Sequence, residues 1–133
     1  MLFRPTGPRE LALIRDVGWR AFPPRLEFQP IFYPVLTQDY ARQIARDWNA
    51  TKADTGYLGF VTRFRLKLRY ARRFEVQTVG GRVHQELWVP AEQLNEFNRN
   101  IIGRIEVVAT FRGGADAAPV EVPFEPSMIR EVG

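Results

Sequence analysis

The sequence contains no cysteine, a single histidine (His84) and a single serine (Ser127). Without cysteine, the chain has no disulfide framework, no thiolate zinc site and no cysteine nucleophile. One histidine argues against a histidine-built metal centre, since zinc and similar ions usually take several nitrogen or sulfur ligands. A lone serine near the C-terminal end argues against a Ser-His-Asp hydrolase. We therefore expect neither a metal site nor catalysis by serine or cysteine.

Long hydrophobic runs are absent as well. No apolar segment approaches the roughly 20 residues that a membrane-spanning helix needs. The first residues, MLFRPTGPRELALI, lack the positively charged and then apolar arrangement of a signal peptide. The expectation is a cytoplasmic protein that does not enter a membrane.

Hydrophobic residues, by contrast, make up 45% of the 133 residues, and aromatic residues make up 13%. This composition is sufficient for the core of one domain without metals or disulfides. The net charge is +4, and lysine occurs only at Lys52 and Lys67, so the basic residues are mainly arginine. Arginine presents a planar fork that suits phosphate and carboxylate groups. A GC-rich genome produces the same excess of arginine.

The first part of the chain shows the patterns of two short strands and two helices. Leu2–Arg4 and Ile31–Tyr33 are short runs that each end at a proline. Pro8–Val17 has the apolar spacing of a helix. Thr37 is placed to cap a second helix, whose apolar residues recur as far as Trp48.

From Tyr57 onward, apolar residues recur at every second position, which is typical of half-buried strands. Gly80 and Gly81 are placed to form a hairpin turn, and Pro90 opens a short helix. The predicted strands are Phe60–Leu66, Phe74–Thr78, Val83–Val89 and Ile105–Phe111. Strands grouped in this way, with one helix inserted, predict an α+β domain with mostly antiparallel strands.

The composition changes after Gly113 and Gly114 to small residues and prolines. We therefore predict a single domain over residues 1–112 and a C-terminal extension over residues 113–133, which Phe124 could dock onto the domain. No GxGxxG or Walker-type loop is present, so a Rossmann or P-loop nucleotide site finds no support.

The predicted strand Val83–Val89 carries the most suggestive set of side chains. With a period of two, His84, Glu86 and Trp88 share one face. A carboxylate beside an imidazole and an indole could stabilise positive charge developing on a sugar, or could orient a nucleophile. The same pattern fits a solvated face with an interfacial tryptophan, and the residues alone leave both interpretations open.

Two residues from the first part of the chain could join such a site. Arg4 lies beside a Pro-Thr-Gly turn and could clamp a phosphate or hold a ribose. Tyr33, on a short strand, could stack on a flat heterocycle. The alternatives are a solvated arginine and a core aromatic.

Basic residues are densest between positions 63 and 73, where apolar residues alternate with them. Such a stripe could follow a nucleic-acid backbone and neutralise its phosphates. It could equally be an exposed strand whose charges discourage edge-to-edge pairing. The residues concerned are Arg63, Arg65, Lys67, Arg69, Arg72 and Arg73.

Beyond these patterns, the sequence resembles a family of short bacterial proteins usually labelled ADP-ribosylation/crystallin-like. The resemblance runs from about Leu2 to Val108, and its most specific parts are FPPR, QPIFYPVL and ELWVPAEQLNEFN. More distantly, the chain is similar to ADP-ribosyltransferases. Their fold packs two small, mostly antiparallel sheets with short flanking helices around a cleft for NAD.

The resemblance implies that the chain binds NAD as a substrate and transfers ADP-ribose to a macromolecular acceptor. Arg4 would match the residue that holds the ribose or phosphate, and Tyr33 the residue that stacks near nicotinamide. Glu86 would match the catalytic carboxylate, with His84 and Trp88 also in the cofactor site. His84 stands two positions before Glu86, where arginine-modifying members carry Gln or Glu.

Two alternatives stay open. In the first, the chain is a non-enzymatic module that binds nucleic acid or an acidic protein through an arginine-rich strand, with Arg63, Arg65, Arg69 and Arg73 as the contact residues. In the second, it is a small partner-binding protein without a cofactor.

Overall fold

The computed structural model describes residues 1–82 and 84–129. Its strands are β1 (Leu2–Thr6), β2 (Ile31–Phe32), β3 (Leu58–Leu66), β4 (Val76–Thr78), β5 (Gln85–Leu87), β6 (Val89–Pro90), β7 (Ile101–Gly114) and β8 (Ala117–Glu121). Its helices are α1 (Pro8–Asp16), α2 (Gln38–Asp47), α3 (Leu68–Ala71) and α4 (Leu94–Arg99). The described residues therefore form an α+β fold, as the sequence predicts.

The strands are arranged as one antiparallel sheet of four strands and two smaller pairs. The order in the large sheet is β1–β3–β7–β8, and the pairs are β2–β6 and β4–β5. The β4–β5 hairpin forms around the predicted Gly80–Gly81 turn, with Val76 opposite Leu87. The predicted strand Val83–Val89 is divided between β5 and β6, and its first residue, Val83, lies outside the described residues.

Val35 lies where the small pairs meet the large sheet, and its neighbours Pro34 and Leu36 also form hydrogen bonds with β5. Its N–H donates to the carbonyl of Phe3 at 2.8 Å, and its carbonyl accepts from the N–H of Phe3 at 2.9 Å. On its other side, Val35 bridges Glu86 of β5, and the N–H of Leu36 donates to the carbonyl of Gln85 at 3.0 Å. Residues 34–36 therefore lie between β1 and β5, so the sheet curls rather than dividing into the two sheets that the resemblance implied.

Helix α2 is capped and packed as its sequence predicts. The Thr37 hydroxyl accepts a hydrogen bond from the N–H of Tyr40 at 3.2 Å. Buried alanines, Ala41 and Ala45, let the helix lie close to β3. A Cβ atom on Gly59 would stand 2.2 Å from the carbonyl oxygen of Ala45, so only glycine permits this approach. Among the described residues, no helix is long and apolar enough to span a bilayer.

The main core lies on the other face of the sheet and is rich in phenylalanine. Phe22, Phe32, Phe64 and Phe97 are almost fully buried, and their rings meet at centroid distances from 4.9 to 5.9 Å. The tilted and edge-to-face geometries add to the stabilisation from burial alone. This core holds β1, β3 and α4 together.

The segment after residue 112 differs from the predicted extension. Strand β7 continues to Gly114, β8 pairs with it, and Phe124 contacts the ring of Phe60 with a centroid distance of 5.9 Å. Met128 and Ile129 are buried in the main core. Gly113 is no linker residue, because a Cβ there would stand 2.5 Å from the carbonyl of Ala50. Residues 113–129 thus belong to the sheet and core, and residues 130–133 lie outside the described residues.

Candidate functional site

An open cleft of about 470 Å³ lies between α2 and the strands that meet at Val35. It brings together four of the residues that the sequence analysis selected: Arg4, Tyr33, Glu86 and Trp88. The remaining lining residues are Pro5, Val35, Ile44, Trp48, Asn49 and Val79. Helix α2 supplies Ile44, and Trp48 and Asn49 follow directly after it.

Strand register explains why Tyr33 and Trp88 meet. Phe32 pairs with Val89, and Val35 pairs with Glu86, so the same register places Tyr33 opposite Trp88. Their rings are 6.4 Å apart at 86°, an edge-to-face pair. Both stay accessible, with 39% of Tyr33 and 45% of Trp88 exposed. The cleft therefore presents two aromatic surfaces to a ligand.

Both carboxylate oxygens of Glu86 are held by hydrogen-bond donors. The Tyr40 hydroxyl donates to Oε2 at 3.0 Å, and the Trp88 indole Nε1 donates to Oε1 at 2.8 Å. The Glu86–Trp88 bond agrees with the shared face that the period of two predicts. Each carboxylate oxygen can accept more than one hydrogen bond. Glu86 is thus fixed in direction while keeping capacity to accept from a ligand.

Tyr40 is the main residue that the sequence analysis missed. Burial raises the pKa of Tyr40 to about 12, with further contributions from the hydrogen bond to Glu86 and its charge. The hydroxyl therefore keeps its proton, and its role as a donor, well above neutral pH. Tyr40 shares an apolar face with Ile44 and Trp48, and both of those residues line the cleft. This shared face is the sequence feature from which Tyr40 could have been identified.

His84 lies behind this carboxylate rather than among the lining residues. Its ring stacks on Tyr40 with centroids 4.6 Å apart and an angle of 24°. Its Nε2 is 3.2 Å from the Gln43 Oε1, and the N–H of Gly81 donates to Nδ1 at 3.4 Å. The tautomer with its proton on Nε2 satisfies both contacts. His84 thus positions Tyr40, which in turn positions Glu86.

Arg4 lines the cleft, but its guanidinium already forms hydrogen bonds with other residues of the protein. Nε and Nη2 donate to the two carboxylate oxygens of Glu10 at 2.6 and 2.8 Å, and Nη1 donates to the Tyr33 carbonyl at 3.4 Å. The group also lies over the ring of Phe32, 4.6 Å from its centroid. Arg4 is only 9% exposed. It fastens α1 and the Tyr33 backbone to β1 and has little freedom to clamp a phosphate.

A second guanidinium, Arg25, lies beside this pair. Its Nε donates to the carbonyl of Ile31 at 3.0 Å, and it makes no ion pair with a carboxylate in the described part of the chain. Burial lowers the pKa of Arg25, as does the charge of Arg4, while Glu10 and Tyr33 act in the opposite direction. Arg25 ends the FPPR segment, and no sequence pattern marks it as a site residue. Arg25 is half-buried near Tyr33, and its two Nη atoms can still donate hydrogen bonds to a ligand.

The arginine-rich segment is not one strand. Arg63 and Arg65 lie on β3, which ends at Leu66, whereas Arg69 lies in α3 and Arg73 follows it. Arg63 contacts Glu106 at 3.4 Å and Arg73 contacts Glu96 at 3.5 Å. The prediction that these arginines share one strand is therefore wrong for Arg69 and Arg73, because the chain turns into a helix after Lys67.

Across residues 1–82 and 84–129, no group of three or more acidic or histidine side chains could hold a metal ion. Comparison with models of protein families, with curated protein sequences and with solved structures finds no match. The geometry of the cleft is therefore the basis for a functional proposal.

Proposed function

We propose that the cleft binds NAD and that the protein transfers ADP-ribose from it to a macromolecular acceptor. The observation that carries this proposal is Glu86, whose carboxylate is held by Tyr40 and Trp88 beside an accessible aromatic pair. A fixed carboxylate next to flat stacking surfaces suits a cationic heterocycle attached to a sugar.

In the proposed binding mode, the nicotinamide, the ribose and the pyrophosphate of NAD each lie against different residues. The nicotinamide ring stacks on Tyr33 or Trp88, and the adjoining ribose lies against Glu86. The pyrophosphate lies toward Arg25, whose guanidinium has no carboxylate partner among the described residues. Arg4 and Glu10 act indirectly, by holding the backbone of Tyr33. This differs from the direct contact by Arg4 that the resemblance implied.

The chemistry needs one bond to break and one to form. The bond between the ribose C1′ and the nicotinamide nitrogen breaks, and its electron pair leaves with nicotinamide. The positive charge that develops on the ribose is stabilised by Glu86. A nucleophilic oxygen or nitrogen of the acceptor then bonds to C1′, and its proton passes to Glu86 and on to solvent. With water as the acceptor, the same step is NAD glycohydrolysis.

The test is to incubate the purified protein with NAD labelled in its adenylate half, with and without cell lysate. Label transfer to lysate components and nicotinamide release are both measured. We expect Glu86→Gln to lower the rate by about 100-fold or more, the usual range for losing a positioned acid–base group. Glu92→Gln changes an exposed glutamate outside the cleft and is the matched control. A wild-type protein that gives neither product would contradict the proposal.

A further inference from the structure

A second depression, of about 490 Å³, lies on the opposite face of the curled sheet. Side chains alternate along strands, so neighbours in sequence point to opposite faces. Val35 and Glu86 line the NAD cleft, whereas Leu36 and Leu87 line this depression. We call it the apolar groove, and its other main lining residues are Met1, Leu2, Leu66, Leu68, Phe74 and Val76.

The apolar groove leaves hydrophobic side chains in contact with solvent. Leu68 is 63% exposed and Val76 is 45% exposed, although both adjoin buried residues of the main core. Contiguous apolar surface of this kind marks docking sites more often than isolated exposed residues do. Val76 lies on β4, which pairs only with β5 among the described strands.

The rim of the apolar groove carries positive charge. Arg72 lines it directly, and Lys67 and Arg69 lie on either side of Leu68 in the chain, which also lines it. All three are exposed, and none forms an ion pair with a carboxylate in the described residues. Their neighbours Arg63 and Arg73 do have such partners. A surface with unpaired positive charge beside apolar side chains is complementary to a ligand that carries both carboxylates and apolar groups.

We propose that the apolar groove docks an acidic, leucine-bearing segment of another protein. The leucines fill the groove around Leu68, and the carboxylates pair with Arg72 and the basic residues that precede it. A nucleic acid fits less well, because the lining is mainly aliphatic and Phe74 is its single aromatic ring, whereas single-stranded nucleic acids are held by several stacking surfaces. A segment bound here leaves the cleft on the other face open.

The test uses a short fluorescein-labelled peptide in which leucine alternates with aspartate, followed by fluorescence anisotropy. The comparison ligands are the same peptide with lysine in place of aspartate, and a labelled single-stranded oligonucleotide. No NAD is present, so the result does not depend on the proposed activity. The variants are Leu68→Ser and Arg72→Glu, with Arg112→Glu as the control at the far end of β7.

We expect the aspartate peptide to bind and the lysine peptide not to bind. Arg72→Glu should weaken binding about tenfold and reduce its dependence on salt, since it reverses a rim charge. Leu68→Ser should weaken binding at every salt concentration, and Arg112→Glu should bind as the wild type does. Far-UV circular dichroism checks that each variant is folded. The proposal would be overturned if Arg72→Glu and the wild type bound the aspartate peptide equally well. It would also be overturned if the wild type bound the oligonucleotide more tightly than the peptide and Arg72→Glu abolished that binding.

Discussion

The hydroxyl of Tyr40 donates a hydrogen bond to the carboxylate of Glu86 across 3.0 Å, and so joins helix α2 to strand β5. The indole of Trp88 holds the other carboxylate oxygen. Because both donors belong to the protein, the carboxylate is oriented before any ligand arrives. Such preorganisation is what allows a charged group to stabilise charge that develops during a reaction.

Two tyrosine variants test whether this bond also stabilises the fold. Tyr40→Phe leaves Glu86 with one donor fewer and should cost about 1 kcal/mol of unfolding free energy. Tyr70→Phe removes a buried hydroxyl that makes no hydrogen bond of normal geometry among the described residues, although the nearby Glu96 carboxylate helps to raise its pKa. It should therefore be neutral or slightly stabilising. Urea denaturation midpoints compare the two, and a larger loss for Tyr70→Phe would contradict the structure.

The same tyrosines predict a loss of stability at alkaline pH. Burial is the largest cause that raises the pKa of both Tyr40 and Tyr70 to about 12. An unfolded tyrosine has a pKa near 10, so above about pH 10 the unfolded chain loses these protons while the folded chain keeps them. The stabilisation is complete below about pH 10 and is lost as the pH rises toward 12.

Unfolding free energies measured between about pH 9 and pH 11 check this expectation. The wild-type value should fall across the range, and Tyr40→Phe should fall less steeply because one of the two groups is gone. Identical slopes for the wild type and Tyr40→Phe would show that Tyr40 titrates normally.

Gly59 sets the distance between α2 and the sheet. The Cβ of Gly59→Ala would stand 2.2 Å from the carbonyl oxygen of Ala45, so the helix must shift. Overpacking of this kind costs roughly 1–3 kcal/mol or more. Gly114→Ala is the control, since its Cβ would meet Ala117 at an ordinary 3.5 Å. Thermal denaturation should show a clear drop for Gly59→Ala alone, and equal melting temperatures would refute the close approach.

The ion pair of Arg4 and Glu10 should behave as a coupled unit. Arg4→Met leaves the carboxylate of Glu10 partly buried and unpaired, which should cost roughly 2–4 kcal/mol. The double variant Arg4→Met/Glu10→Leu should recover part of that loss, because no unpaired charge remains. A double-mutant cycle on unfolding free energies measures the coupling, and simple additivity would count against it.

Local features of the fold could be predicted from local sequence. Thr37 caps α2, β4 and β5 form the predicted hairpin around Gly80 and Gly81, and alternation places Glu86 with Trp88. These features depend on neighbours only a few positions away. The contact between Tyr40 and Glu86 depends instead on where α2 packs, which is set by small residues at Gly59 and Ala45. Ala45 lies in α2, but no pattern within α2 or β5 alone identifies Gly59 of β3 as the residue that it packs against.

The least predictable features were the partners of charged residues and the role of the last strand. Arg4 looked like a free phosphate ligand, but its partner Glu10 comes from the following helix. The residues after Gly113 looked like a linker because they are small and include prolines. They form the edge strand β8, where missing backbone donors are tolerated.

Calorimetric titration of NAD measures whether the cleft binds this ligand. The proteins are the wild type, Trp88→Ala, Arg25→Ala and, as a control outside the cleft, Arg112→Glu. If NAD occupies the cleft and its pyrophosphate lies toward Arg25, the wild type and Arg112→Glu bind it with equal, micromolar-range affinity, and Trp88→Ala and Arg25→Ala bind it more weakly. Absence of binding by the wild type, or equal affinity in all four proteins, would show that NAD does not occupy this cleft.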